Sequence, residues 1–393
     1  MTPRLSSALD ASRWAAAGLV VISHIRNLLF VDYAHLTHPT LLTKAFYAVT
    51  GLGHEAVVIF FVISGYLVGG LSLARPSPRG FELRRYAAAR FSRIYTVLVP
   101  ALILGGGLDC LGMTLANHTG IYTNPAPFKI ISLPFAVADQ LNLRDFAGSL
   151  LMVENILTRQ FGSNGPLWSL AYEWWYYCLF AAAACLGLKR GWAAKALSAA
   201  AIALMVWLLP YPLLAWGSIW CLGLLLALYQ ARRWPAPPLW LGLLLFLATL
   251  ALSRYLQAMV VESRGVGLVA LGRDAALALG YISLLASLRD GKALPLAGLH
   301  QRLANFSYSI YLTHYPFVLF CIALACDVAG LKFAQQINPA GMAVFGALLA
   351  LTYGFAFAVA RLTEAHTGAV RTAIQRLLGA HRPPTTAPVA ATD

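Results

Sequence analysis

Apolar stretches long enough to cross a lipid bilayer recur from Leu9 to Arg361, and they constrain this chain more than any other feature. A hydrocarbon core roughly 30 Å thick is spanned by about 20 residues of helix, which rises about 1.5 Å per residue. Runs of that kind cover residues 9–30, 45–73, 94–112, 166–188, 239–253, 265–288, 303–326 and 342–361, with two more on either side of the turn LLPYPLL, whose prolines cannot continue a helix. The expected fold is therefore an all-α polytopic membrane bundle of about ten transmembrane helices. Composition agrees: 59% of the 393 residues are hydrophobic and 11% charged, where a soluble domain carries about 25% charged residues.

The charges also give an orientation. The stretch RPSPRGFELRRYAAARFSR holds Arg75, Arg79, Arg84, Arg85, Arg90 and Arg93 between the second and third spans, and such clusters mark the cytoplasmic side. The N-terminus is then cytoplasmic, and ten spans return the C-terminus to the same side. A net charge of +14 would suit nucleic acid if it formed one soluble patch; instead the basic residues fall at span boundaries, which excludes that partner. The first span lacks a small-residue cleavage site and reads as retained. Six cysteines form no C-x-x-C pair and lie mostly in apolar runs, so neither a metal site nor a disulfide framework is expected. Residues 1–380 read as one transmembrane domain, and 381–393, rich in Pro, Thr and Ala, as a disordered cytoplasmic tail. Residues 113–163 form a long external connection whose weaker apolar piece, 146–157, is interfacial or re-entrant.

Ionisable groups inside spans are costly to bury, so each is a candidate for function. Arg13 and His24 stand eleven positions apart, which returns to nearly the same helix face. Arg13 faces the cytoplasmic side and His24 the outer half. A snorkelling arginine and a packed histidine are the plainer account of the pair. His54 and Glu55 lie near the external end of the second span, ahead of Ser64, Gly65, Gly69 and Gly70, a small-residue face suited to close helix packing. Arg90 and Arg93, three apart, present two guanidiniums at the level where a phosphate-bearing cofactor would arrive from the cytosol; topology alone also accounts for them.

Glu173, in GPLWSLAYEWWYY, is a carboxylate on an otherwise aromatic helix and needs a partner. His24 is at a similar expected depth, and a carboxylate on one imidazole nitrogen would leave the other free to take a proton. An arginine or a water-filled cavity are the alternatives. In NFSYSIYLTHYP, Ser307, Tyr311 and His314 form one polar stripe, with His314 equally suited to packing. Arg273 and Asp274 form a local pair or face a polar cavity.

Taken together these motifs resemble the membrane-bound acyltransferase-3 family of bacterial O-acyltransferases. The carriers are Arg13 and His24 as R-x10-H, FFVISGYL from Phe60, the RFSR pair Arg90 and Arg93, LWSLAYE ending at Glu173, and SYSIYLTHYP from Ser307. Ala56 and Val58 depart from residues common in the family, and LTEAHTG around Glu364 lacks the usual proline.

The resemblance implies transfer of an acyl group, commonly acetyl, from cytoplasmic acyl-coenzyme A to a hydroxyl of a glycan, glycolipid or secondary metabolite, in the bacterial inner membrane. The resemblance further implies that the transfer is finished either by this protein itself or by a separate extracytoplasmic transferase. Carried over by position, His24 and Glu173 are the catalytic candidates. Arg13, Arg90 and Arg93 are the candidates for binding the cofactor, and His54, Glu55, Tyr311 and His314 for binding substrate. His24 would act as general base or as a covalent acyl carrier. A proton-coupled transporter of a small or acidic solute is the competing class, because it too needs intramembrane His, Glu and Arg.

Overall fold

The computed structural model describes residues 1–74, 81–187, 191–260 and 267–380; Arg75, Arg79, Lys189, Arg190 and the tail 381–393 lie outside them. Fifteen α-helices make up the described chain, which contains no β-strand. In order they are α1 (Pro3–Leu29), α2 (Leu41–Thr50), α3 (Gly53–Ser64), α4 (Leu71–Ala74), α5 (Leu83–Leu115), α6 (Leu143–Leu150), α7 (Trp168–Leu186), α8 (Trp192–Leu208), α9 (Tyr211–Ala231), α10 (Leu239–Val260), α11 (Leu268–Ser287), α12 (Ala297–Ala304), α13 (Ser307–Ala329), α14 (Pro339–Leu362) and α15 (Thr367–Leu377). Eight helical segments among the described residues are long and apolar enough to cross a bilayer: α1, α2 to α4 run together, α5, α9, α10, α11, α13, and α14 run together with α15. The other two expected spans are the helices α7, which carries Glu173, and α8, of 17 residues.

One expected loop is largely helix. Arg84, Arg85, Arg90 and Arg93 belong to the first three turns of α5, which runs for 33 residues and continues into the membrane span. The reason is local: LRRYAAAR is built almost wholly of strong helix formers, so the helix starts well before the apolar run.

Polar contacts tie the helix ends into two opposite layers. At one end Thr2 Oγ donates to Arg289 O, Arg84 Nη1 donates to Leu378 O, and Arg93 meets Glu364. These contacts gather the starts of α1 and α5 with the ends of α11, α14 and α15 into one arginine-rich layer. At the other end Val31 N donates to Gln335 O and Tyr47 Oη donates to Val31 O, joining α1 to α2 and to the α13–α14 connection.

Between the layers, α3 crosses α9 at backbone contact. A Cβ added to Gly65 would stand 1.8 Å from Trp220 O, and one added to Gly223 would stand 2.0 Å from Val62 O. The small-residue face read from the sequence is thus a packing surface. Gly65–Gly70 form a π-helical turn there, one residue wider than α-helix, which carries Tyr66 to Gln230 on α9 at 2.8 Å.

The long segment 113–163 is ordered around buried polar groups. Asn142 caps α6 by accepting from Asp145 N, and Asp109 on α5 accepts from both Ser163 N and Ser163 Oγ at 2.7 Å. Beside them, Asn164 Nδ2 donates to Leu312 O at 2.8 Å. Pro316 lacks the N–H that would otherwise bond that carbonyl, so the loop repairs a gap that proline opens in α13. Glu154 is 1% exposed and accepts a short hydrogen bond from Ser149 Oγ.

Two measurements test this packing. Gly223→Ala is expected to lower stability by about 2 kcal/mol, through overpacking against α3, whereas Gly346→Ala, with open space at its Cβ, changes little; thermal unfolding of the purified protein compares them. Burial pushes Glu154 from its ordinary 4.5 up to about 8. The native state therefore holds that proton where the unfolded chain has lost it, and stability falls as pH rises between those values. Glu154→Gln, neutral throughout, is expected to flatten that fall in the unfolding midpoint; an unchanged slope counts against a buried carboxyl.

Candidate active site

A cavity of about 1150 Å³ opens within the arginine-rich layer and runs inward between α3, α5, α7 and the start of α13. It is larger than the roughly 300–1,000 Å³ of a typical small-molecule pocket. Its outer part is lined by Arg13, Arg90, Arg93, Arg302, Arg361 and Arg371. Its inner wall is apolar, with Val57, Phe60, Phe61, Ile63, Leu67 and Val68 contributed by the second span. Ser169, Glu173 and Tyr177 of α7 and Tyr308 and Tyr311 of α13 complete it.

Amphipathic placement along single helices explains the lining. On α5, Arg90 and Arg93 face the cavity together with the small Ala89 and Ser92, which leave room for an occupant. On α7, residues 169, 173 and 177 recur every four positions and so share one face. Their hydroxyl and carboxylate form a relay. Trp220 Nε1 donates to Ser64 Oγ at 3.1 Å, Ser64 Oγ donates to Tyr177 Oη at 3.3 Å, and Tyr177 Oη donates to Glu173 Oε1. Deeper in, the Tyr311 and Ser169 hydroxyls lie 2.6 Å apart, and Tyr311 Oη donates to Pro166 O at 3.1 Å.

The two arginines of RFSR differ in their commitments. Arg93 Nη1 donates to Glu364 Oε1 at 2.7 Å, and its guanidinium lies 4.6 Å from the Tyr308 ring centroid. Glu364 Oε2 in turn accepts from Ser309 N at 3.1 Å and Ser309 Oγ at 2.9 Å. Glu364 therefore caps the N-terminus of α13 from another helix, where the free N–H groups and the helix dipole favour negative charge. Arg90 instead lies between the rings of Tyr86 and Tyr177, 5.9 and 5.6 Å from their centroids, and its buried Nε has no acceptor. Among the described residues Arg13 has a single, distant ion-pair partner, Asp10, at 3.8 Å.

His24 does not line the cavity. It stands about one turn beyond the inner end, beside His314, which follows the cavity-lining Tyr311 by three residues on α13. His24 Nδ1 and His314 Nε2 are 2.8 Å apart, the two rings are nearly parallel, and Tyr315 packs edge-on against His24. His314 Nδ1 lies 3.0 Å from Ile310 O and 2.8 Å from Tyr311 O. Carbonyl oxygens only accept, so this nitrogen carries a proton. In a neutral pair His314 Nε2 then holds a lone pair and accepts from His24 Nδ1, which leaves the lone pair of His24 on Nε2.

Sequence reasoning paired His24 with Glu173. The structure gives Glu173 to Tyr177 and His24 to His314, because α13 and not α7 packs alongside α1 at that depth. His54 and Glu55 lie apart from the cavity as well. His54 Nε2 is 2.8 Å from Asp274 Oδ1, which also accepts from Arg273 Nε at 2.9 Å, and Glu55 Oε1 accepts from Ser253 Oγ at 3.0 Å. Gly53 packs directly on Ser23, so this polar cluster borders the turn of α1 that carries His24. Of the residues singled out from sequence, the cavity thus joins Arg13, Arg90, Arg93, Glu173 and Tyr311. Tyr177, Arg302, Arg361 and Arg371 were not anticipated, since basic residues at span ends read as topology markers; Glu364 stood out in the sequence only because its motif lacks the family's usual proline.

A helical membrane protein with a large basic-mouthed cavity and a hydrogen-bonded histidine pair beyond it is an enzyme-like arrangement, and comparison with known proteins gives its class. Residues 6–361 match the acyltransferase domain of the acyltransferase-3 family. The chain belongs to that family and is a multi-pass membrane acyltransferase. It is 26% identical over its whole length to the acyltransferase MdmB of Streptomyces mycarofaciens, of which it covers 98%. It is also 30% identical over 187 residues, 47% of this chain, to an O-acetyl transferase of Shigella phage Sf6, whose length it matches over 48%. No solved structure matches the chain.

Removing one side of the Arg93–Glu364 pair would leave a charge stranded beside α13. Arg93→Met and Glu364→Gln are each expected to destabilise the protein by about 2–4 kcal/mol, and the double variant by less than their sum. Additive losses in thermal unfolding would show that the two side chains act independently.

Proposed function

We propose that this protein transfers an acyl group from acyl-coenzyme A to the hydroxyl of a glycan, glycolipid or related acceptor. The observation that carries this reading is the order of chemistry along one path: arginines at the mouth, an apolar wall inside, and a histidine pair just beyond. Coenzyme A thioesters have the same order, with phosphates at one end, a long uncharged arm, and the reactive carbonyl at the other. The named activities of the two relatives, O-acetyl and acyl transfer, point the same way. On the positive-inside rule the arginine-rich end faces the cytoplasm, where acyl-coenzyme A is made, and the His24 region faces the outer half of a bacterial inner membrane.

In this reading His24 Nε2 takes the proton of the acceptor hydroxyl as its oxygen attacks the thioester carbonyl. The carbon–sulfur bond breaks, and the proton returns to the departing thiolate, so that ester and free coenzyme A are formed. His314 keeps the His24 lone pair on the correct nitrogen, as the third group does in other base-assisted transfers. Glu173 lies on the cavity wall and, through Tyr177 and Ser64, stiffens the face along which the arm would lie.

The test is mass spectrometry of surface glycans and lipids from cells with the intact gene, a deletion, His24→Ala and His314→Gln. An acyl mass increment is expected only with the intact gene and, about 10- to 100-fold reduced, with His314→Gln, whose amide oxygen keeps an acceptor for His24 Nδ1. A normal increment with His24→Ala would end the base assignment. Solute uptake that needs no acyl-coenzyme A would instead favour a carrier.

A further inference from the structure

The six arginines of the cavity are not equivalent, and their existing bonds sort them. Arg93 is already engaged by the Glu364 carboxylate at 2.7 Å and by the Tyr308 ring. Arg302, Arg361 and Arg371 are exposed at the mouth and donate to no protein acceptor among the described residues. They come from three different helices, α12, α14 and α15, so no single helix's topology signal accounts for their meeting. His366 and Thr367, at the start of α15, also border the mouth, so the positive end of that helix's dipole lies beside it.

We infer that Arg302, Arg361 and Arg371 form the subsite for the donor's phosphate groups, and that Arg93 is a positioning residue. This rests on acyl-coenzyme A being the donor. A phosphate monoester and a diphosphate together carry several negative charges, and unpaired guanidiniums bind such groups with paired, charge-assisted hydrogen bonds. Arg93 makes a poorer ligand because a phosphate would have to displace a carboxylate that also caps α13. Arg93 and Glu364 instead fix the α13 N-terminus, and with it the register of Tyr308, Tyr311 and His314 along the path inward. Arg90, held between two tyrosine rings with a free Nε, adds a further positive charge on the cavity wall.

Binding of coenzyme A, 3′-dephospho-coenzyme A and pantetheine to the purified full-length protein in lipid nanodiscs separates the possibilities. The wild type is expected to bind coenzyme A most tightly and pantetheine least. The triple variant Arg302→Gln, Arg361→Gln, Arg371→Gln is expected to weaken coenzyme A by about tenfold or more and to leave pantetheine unchanged. All three side chains are exposed and unpartnered, so its unfolding midpoint should stay at the wild-type value. Arg93→Lys, which keeps the charge but not the geometry, is expected to weaken coenzyme A and pantetheine by the same factor. The inference is overturned if the triple variant binds coenzyme A within twofold of wild type, or if it weakens all three ligands equally. It is also overturned if Arg93→Lys weakens coenzyme A alone. Wild-type protein that binds none of the three would instead overturn the donor assignment itself.

Discussion

A single carboxylate, Glu364, holds the functional half of this molecule in register. It sits at the junction of α14 and α15, grips Arg93 on α5 with one oxygen, and caps α13 through Ser309 with the other. In an apolar bundle such a bond has few competitors, and leaving either partner unmet is costly. Three helices remote in sequence are thereby locked at one level. Because α13 is then fixed along its axis, Tyr308, Tyr311 and His314 take their depths from that anchor, and His24 takes its orientation from His314.

About one turn further along α13 a different compensation operates. Pro316 frees the carbonyl of Leu312, and Asn164, just after the long segment 113–163, fills the vacancy. That segment is in turn fastened to α5 through Asp109 and Ser163. The α13 helix is thus held from both sides by polar side chains belonging to α14–α15 and to the loop before α7. Tyr308 and Tyr311 of the cavity wall lie beside these two fastenings, and His314 follows within a turn. A membrane bundle whose apolar packing is nearly uniform in energy gains its specificity from such points.

Much of this was legible in the residues. The apolar runs announced a helical bundle, Arg13, Arg90, Arg93, Glu173 and Tyr311 were each singled out, and they do share one cavity. Pairings were the part that could not be read. His24 was matched with Glu173 on estimated depth, yet depth along a helix says nothing of which neighbour lies beside it. Arg302, Arg361 and Arg371 were hidden by a real regularity, since basic residues at span ends are explained by topology whether or not they also line a site.

The sequence by itself determined the all-helical membrane architecture, because runs of about 20 apolar residues leave the backbone no other way to satisfy its hydrogen bonds in lipid. It also determined the family, through motifs whose order spans the chain. Only the tertiary structure decided that Arg93 is bound to Glu364 while three distant arginines remain free, and that a second histidine sets the tautomer of His24. The physical reason is that periodicity is a property of one helix, whereas hydrogen-bond partnership depends on which helices pack together and at what axial offset.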